Sequence, residues 1–556
     1  MAKKKPTKKE TPAPDHLTMR LFAPGMTEMH RAGLGGLAAT LKLIESRVAD
    51  DDIDDDELPG GPWDDEETPP WDITPDSITV HFAKPENAAE FLERLFAVAF
   101  DLDGDLLSLP AQYDGDVQTI VRAMIQQGIT LTFLQHGQTR KLAKNPTELN
   151  YNPEGKPGKE IVFEYKACSS YKHQLGWQDL VDKKKGTLNP KPIEVAGPMS
   201  PGAVVRHNAF SGQTKIEETA ELILPLYFSL IGCLTLSINR GSGVLIIPEV
   251  IDLLHFAMKR SRMTPRNSRE CQITGGSDAV LQAMIRLRSD KDASKHKLPG
   301  CHAITFQPTP WASQQKSRVH SIYVPAGSSE SLDRFETALA CLPPKVVSRV
   351  VKETKGRGKS KQVTEREEHF WVDSVVRALV ADNLAQGRPW YLGFVDLMTK
   401  IDPVSKQPIR NKVLFERKGL NEMINKIQWQ DRGESTVVRA VHEAMRRRYG
   451  KIASENVGKA GAMKNRMSGE YDRWRLAFAG AKTPEQFRKS ICDLFSRAGI
   501  TPVLQSEWEG LLPMLDAENW QQTRDLALLA LASYSGKGSN DVAKEQEKQP
   551  GEESAA

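Results

Sequence analysis

The stretch from Thr27 to Leu41 restricts the fold of this chain more than any other. It reads Thr-Glu-Met-His-Arg-Ala-Gly-Leu-Gly-Gly-Leu-Ala-Ala-Thr-Leu, after a short strand-like run and a Pro24-Gly25 turn. Thr27 stands where a helix N-cap belongs, and Leu34, Leu37 and Leu41 return at helical spacing. Gly33, Gly35 and Gly36 fall inside that helix, where each costs roughly 1 kcal/mol against alanine. Two readings follow. Either this is an amphipathic core helix merely weakened by glycine, or the glycines let another backbone come close.

At 556 residues, with 39% hydrophobic and 26% charged content, the chain suits a soluble globular protein of two to four domains. The net charge of +3 hides strong segregation. From Asp50 to Asp76 there are 13 acidic and no basic residues, whereas from Lys400 to Asp493 there are 21 basic against 11 acidic. Phosphate binding depends on such local excess, not on the average. Six separated cysteines without a C-x-x-C pair argue against a zinc ribbon or a disulfide framework and suit a reducing cytoplasm. The basic start, Met1 to Glu10, lacks the apolar region of a secretory signal. The apolar run Leu222–Ile238 is short for a membrane span and is broken by Pro225, Ser229, Gly232 and Thr235, so a buried helix or strand is expected.

These patterns give a mixed α/β (α+β) N-terminal region followed by a C-terminal all-α helical bundle. Residues 1–18 read as a basic tail and 19–385 as the α/β region. Within it, 50–76 read as an acidic loop and 352–368 as a mobile charged loop. Residues 386–535 read as the bundle and 536–556 as a polar tail. Ser77–Phe82 and Thr130–Leu134 alternate as strands do, while Glu86–Phe100 carries Phe91, Leu92, Leu95 and Phe96 on one helical face. Segments 137–160 and 182–203 read as long loops. Thr483-Pro-Glu-Gln486 is a capping box and Gly499 a helix stop.

Candidate chemistry is sparse. Asp101 and Asp103 have the spacing of an aspartate-nucleophile phosphatase, but Asp105 stands where Thr or Ser is required, and the alternative is a β-hairpin turned at Asp103-Gly104. Gly358-Lys359-Ser360 lacks the leading glycine of a phosphate loop, because residue 353 is Glu. The twelve histidines show no metal-ligand spacing, so neither a metal nor a cofactor is expected. Basic clusters carry more. Lys259, Arg260, Arg262, Arg266 and Arg269 follow an apolar helix, and Arg206, His207 and Asn208 follow a Gly/Pro loop. Arg439, Arg446, Arg447, Arg448, Lys451, Lys464, Arg466 and Arg473 lie in the bundle. The first and last sets read either as a solvated surface or as a nucleic-acid contact, and Arg206, His207 and Asn208 either touch a groove or cap the next strand.

Four blocks in fixed order carry a family resemblance: Leu21–Leu41, Gly197–Phe210, Arg240–Phe256 and Gly275–Ala279. They resemble the large subunits of type I CRISPR effector complexes (Cascade), the Myxan subtype in particular, over about residues 19–535. The resemblance implies a non-catalytic cytoplasmic subunit of an RNA-guided DNA surveillance complex. Guide pairing would read sequence while the protein reads a short flanking duplex motif and stabilises the R-loop. The implied partners are CRISPR RNA, double-stranded target DNA, the Cascade backbone and small subunits, and a helicase-nuclease or transposition proteins. No His-Asp dipeptide occurs, so the partner nuclease's metal signature is missing here. Two alternatives stand beside this reading: a nucleic-acid-binding or regulatory protein of the same fold, and a phosphatase using Asp101.

Overall fold

The computed structural model describes residues 13–536 except 51, 55–56, 61–68, 114, 198, 202–215, 239–240, 289–299, 310–315, 327–328, 356–361 and 404. It falls into two compact units, residues 1–154 with 162–327 and residues 155–161 with 328–556.

The first unit is organised by the glycine helix, Glu28–Ala49. Thr27 caps it, accepting from His30 N, while Thr27 N donates to His30 Nδ1. The glycines serve two neighbours. Gly33 and Gly36 face the helix Ala220–Gly232 so closely that a methyl on either would overlap the Pro225 or Phe228 carbonyl. Gly232 answers from the other side, where a methyl would strike the Ala32 carbonyl. Gly35 instead admits the ring of Phe256, which a methyl there would meet at 2.5 Å. Of the two readings of the glycines, the second holds.

The apolar run Leu222–Ile238 is the buried corner of this unit. It finishes the helix Ala220–Gly232 and enters the strand Leu234–Ile238. That strand opens a four-stranded antiparallel meander, continued by Ser242–Pro248, Cys301–Thr309 and Lys316–Val324. The helix Gly276–Leu287 packs on one face, with Gly276 against Thr305 and Ile322. A small sheet places Ser77–His81 between His16–Arg20 and Trp71–Ile73, so strands begin inside both the expected tail and the expected acidic loop. No helix among the described residues is long and apolar enough to cross a membrane.

Three local expectations are corrected. Thr130–Leu134 is not a strand. Thr130 and Leu131 finish the helix Thr119–Leu131, whose buried face starts at Ile120 and whose Gly128 lies against the Thr235 and Leu236 backbone. Five alternating residues could not outweigh a helical period already established upstream. The segment 137–160 contains the strands Arg140–Leu142 and Thr147–Tyr151, and 182–203 contains Ile193–Glu194. Of the expected loop 352–368, residues 352–355 and 362–368 belong to a two-stranded ribbon, Lys345–Lys355 paired with Gln362–Val372, and 356–361 lie outside the described residues.

The second unit is helical from Val375 onward. Its central helix, Arg432–Glu455, buries Val437, Val441 and Met445. The helix Trp520–Ser533 is buried on nearly every side. Its Asp525 accepts from Gly393 N at 2.7 Å and Val395 N at 3.1 Å, and Tyr391 Oη donates to Glu434 Oε1 at 2.8 Å. The helix Pro484–Ala498 is bounded as its sequence foretold: Thr483 accepts from Gln486 N, and Gly499 takes φ +79°. Gln486 reaches back to Lys482 N, however, not to the cap residue itself.

Glu416 is buried at the start of the helix Val375–Ala385, accepting from Ser374 Oγ, Val375 N and Val376 N. Burial pushes its pKa up to about 7 from the ordinary 4.5. Between those values the folded chain keeps a proton that the unfolded chain has released. The stabilisation is therefore complete below pH 4.5 and is lost as pH rises through 7. Thermal unfolding followed across this window is expected to show a decline that flattens in Glu416→Gln. An identical pH profile for the variant would contradict this assignment.

Candidate nucleic-acid interface

The helix Leu253–Met263 starts at Asp252, whose carboxylate accepts from His255 N at 2.8 Å. Leu253, Phe256, Arg260 and Met263 all turn inward. Arg260, expected from sequence to contact nucleic acid, is 0% exposed. Its Nε donates to the Ile231 carbonyl at 2.5 Å and its NH2 to the Cys233 carbonyl at 2.7 Å. Its NH1 donates to Thr264 Oγ1 at 3.0 Å. A guanidinium thus closes the C-terminal end of the helix Ala220–Gly232, where carbonyls lack intrahelical donors and the helix dipole favours positive charge. Burial lowers its pKa to about 10, so it stays charged at neutral pH. Arg260 is a structural residue, and the expectation of a nucleic-acid contact is withdrawn.

Its neighbours differ. Arg262, Arg266 and Arg269 are exposed, with no side-chain partner among the described residues, and Lys259 is half-buried. Arg262 lies in the last turn of the helix, and the loop that carries Arg266 and Arg269 is held by its own hydrogen bonds. Asn267 accepts from Arg269 N and Glu270 N and donates to Glu270 Oε1 at 2.8 Å. Glu270 Oε2 accepts from Arg266 N, and Arg286 donates to the Met263 carbonyl at 2.9 Å. Asn267 is therefore committed to the loop, and Arg286, which sequence reasoning did not single out, anchors it. Arg206, His207 and Asn208 lie outside the described residues.

In the helical unit much of the basic excess is internally paired. Arg439 holds Glu507 at 2.8 Å, Arg448 holds Glu470 at 3.0 Å, Arg466 holds Glu455 at 3.1 Å and Arg473 lies 3.6 Å from Asp493. Arg447 donates to the Ile500 carbonyl. Arg446 and Lys451 are exposed, with no side-chain partner among the described residues, and Lys464 is half-buried. The carboxylate spacing that suggested a phosphatase is a hairpin: Asp101–Asp103 pairs with Leu106–Ser108, and Gly104 takes φ +65° at the turn. Asp103 is ion-paired with Arg122, and Asp105 accepts from Tyr165 Oη at 3.0 Å. Among the described residues no group of three or more His, Cys, Asp or Glu could hold a metal ion.

Residues 18–227 match the DevT N-terminal domain family and residues 425–556 the DevT C-terminal domain family. Over 554 residues the chain is 33% identical to the CRISPR-associated protein Cas8a1/Csx13 of Myxococcus xanthus strain DK1622, covering 96% of this chain and 90% of that protein. The chain belongs to the Cas8a1/Csx13 family. It is a type I CRISPR large subunit of the Myxan subtype, as the four sequence blocks implied. The DevT N-terminal match ends inside the helix Ala220–Gly232, so the Cas8a1/Csx13 relative, not the DevT match, spans the arginines at 262–269.

Proposed function

We propose that this Cas8a1/Csx13 family member is a non-catalytic, cytoplasmic DNA-contacting subunit of an RNA-guided surveillance complex. Its first unit reads the duplex motif flanking the target, and its helical unit holds a displaced or target strand. The partners in this reading are CRISPR RNA, double-stranded target DNA, backbone and small subunits, and a helicase-nuclease or transposition proteins. The observation that carries it is the helix end and hydrogen-bonded loop that present Arg262, Arg266 and Arg269 outward without side-chain partners among the described residues. Exposed guanidiniums on a hydrogen-bonded backbone suit phosphate contacts and bidentate reading of guanine edges.

The test is binding of the assembled complex to matched duplex across a salt series. Where Arg262→Ala, Arg266→Ala or Arg269→Ala frees one phosphate, the slope of log affinity against log salt should fall by about 0.9. A residue that reads a base edge should also change motif preference, at a cost of about 1–3 kcal/mol. Unchanged slope and preference in the triple variant would remove this loop from the interface.

A further inference from the structure

We propose that Trp508 is a stacking platform for an unpaired base, with the phosphates of the same single strand running along an arginine stripe on the helix Arg432–Glu455. This rests on the reading of the helical unit as strand-binding and adds the aromatic contact that reading lacks.

Trp508 is 50% exposed, more than any other tryptophan whose side chain is described. Trp71, Trp390, Trp474 and Trp520 are buried. The helix Trp508–Met514 turns Leu511 and Met514 inward, with Met514 against Gly433. It leaves Trp508 and Leu512, one turn apart, in water. An indole left half uncovered keeps a large apolar face available to a ligand.

The charges beside it are ordered. Arg432, Arg439 and Arg446 recur every seven residues, which puts them on one helix face about 10 Å apart. Glu507, directly preceding Trp508, lies 3.9 Å from Arg432 and 2.8 Å from Arg439, so the indole is tethered beside the stripe. The Arg432 side chain is 83% exposed, and Arg446 has no side-chain partner among the described residues. Around the stripe Arg447 adds a fourth guanidinium, while Asp431, Glu443, Glu507 and Glu509 supply carboxylates, so the stripe offers ordered cations and not a uniformly positive surface. An apolar protein partner would need the indole and Leu512 but not the stripe. A nucleotide presents a π-face and a phosphate together, and base–aromatic stacking tolerates any sequence. The arginine stripe therefore favours single-stranded nucleic acid.

The experiment uses the full chain and a fluorescein-labelled oligothymidylate of about 20 nucleotides, long enough to cross a helix face, with anisotropy read across salt. Trp508→Ala should weaken binding about five- to a hundred-fold with an unchanged salt slope, and Trp508→Phe should retain most of the affinity. Arg446→Ala should weaken binding and make the slope shallower by about 0.7. Wild-type affinity in Trp508→Ala with a loss in Arg446→Ala would overturn the stacking role and leave strand binding standing. Wild-type affinity in both would overturn both. Equal losses in Trp508→Ala and Trp508→Phe at unchanged melting temperature would also reject stacking. So would intact oligonucleotide binding combined with loss of a protein subunit from the Trp508→Ala complex, which would make the patch a protein-docking site.

Discussion

Replacing Gly33 by alanine is expected to unfold the first unit. The added methyl would overlap the Pro225 carbonyl and also crowd Ser229 N at 3.0 Å. These are backbone atoms inside a helix, so no side-chain rotation relieves the clash, and the two helices must separate along their whole contact. The expected loss is at least about 4 kcal/mol, beyond ordinary overpacking. Gly232→Ala should behave alike, because its methyl would strike the Ala32 carbonyl across the same crossing. Gly450→Ala is the matched control. It sits within the helix Arg432–Glu455 with open space where its methyl would go, and should gain about 0.5–1 kcal/mol. Denaturant unfolding of the three variants checks the pattern. Equal effects at Gly33 and Gly450 would show that the crossing is looser than described.

Arg260→Met is expected to cost about 3 kcal/mol, the second largest effect. It keeps the apolar stem but removes the donors to the Ile231 and Cys233 carbonyls. Buried acceptors stripped of a charged donor cost roughly 1–3 kcal/mol each. Gln112 Nε2 lies 3.4 Å from each of these carbonyls and offsets only part of the loss. The discriminating measurement is affinity per folded molecule. Arg260→Met should melt early yet, at low temperature, bind target like wild type. A folded variant that had lost binding would return Arg260 to the interface.

The fate of Arg260 was partly legible in the sequence. Leu253, Phe256, Arg260 and Met263 fall on one helical face, and that spacing places the arginine with the core residues even though its charge suggests the surface. The glycines left two readings open because their partners Pro225 and Phe228 lie far along the chain, but the hairpin at Asp103-Gly104 and the boundaries of the helix Pro484–Ala498 were readable because each depends on neighbours within a few residues. The ribbon at 345–372 was not. A two-stranded element carrying charge along both strands shows no alternation of apolar and polar residues. The pairing of the bundle arginines was equally hidden. Glu507 lies 68 residues from Arg439 and Glu470 lies 22 from Arg448, so nothing local announces either partner.

Those internal pairs also bear on discrimination. A bare cation draws in any nucleic acid, releasing condensed counterions whether or not the ligand is correct. An arginine already clasped by a carboxylate must exchange one anion for another, which yields little unless the incoming strand is held in register elsewhere. Arg439, Arg448, Arg466 and Arg473 therefore add less to indiscriminate affinity than their number suggests. In the proposed reading, such a surface would stay quiet amid a genome's worth of competing phosphates and engage a strand that guide pairing had already delivered.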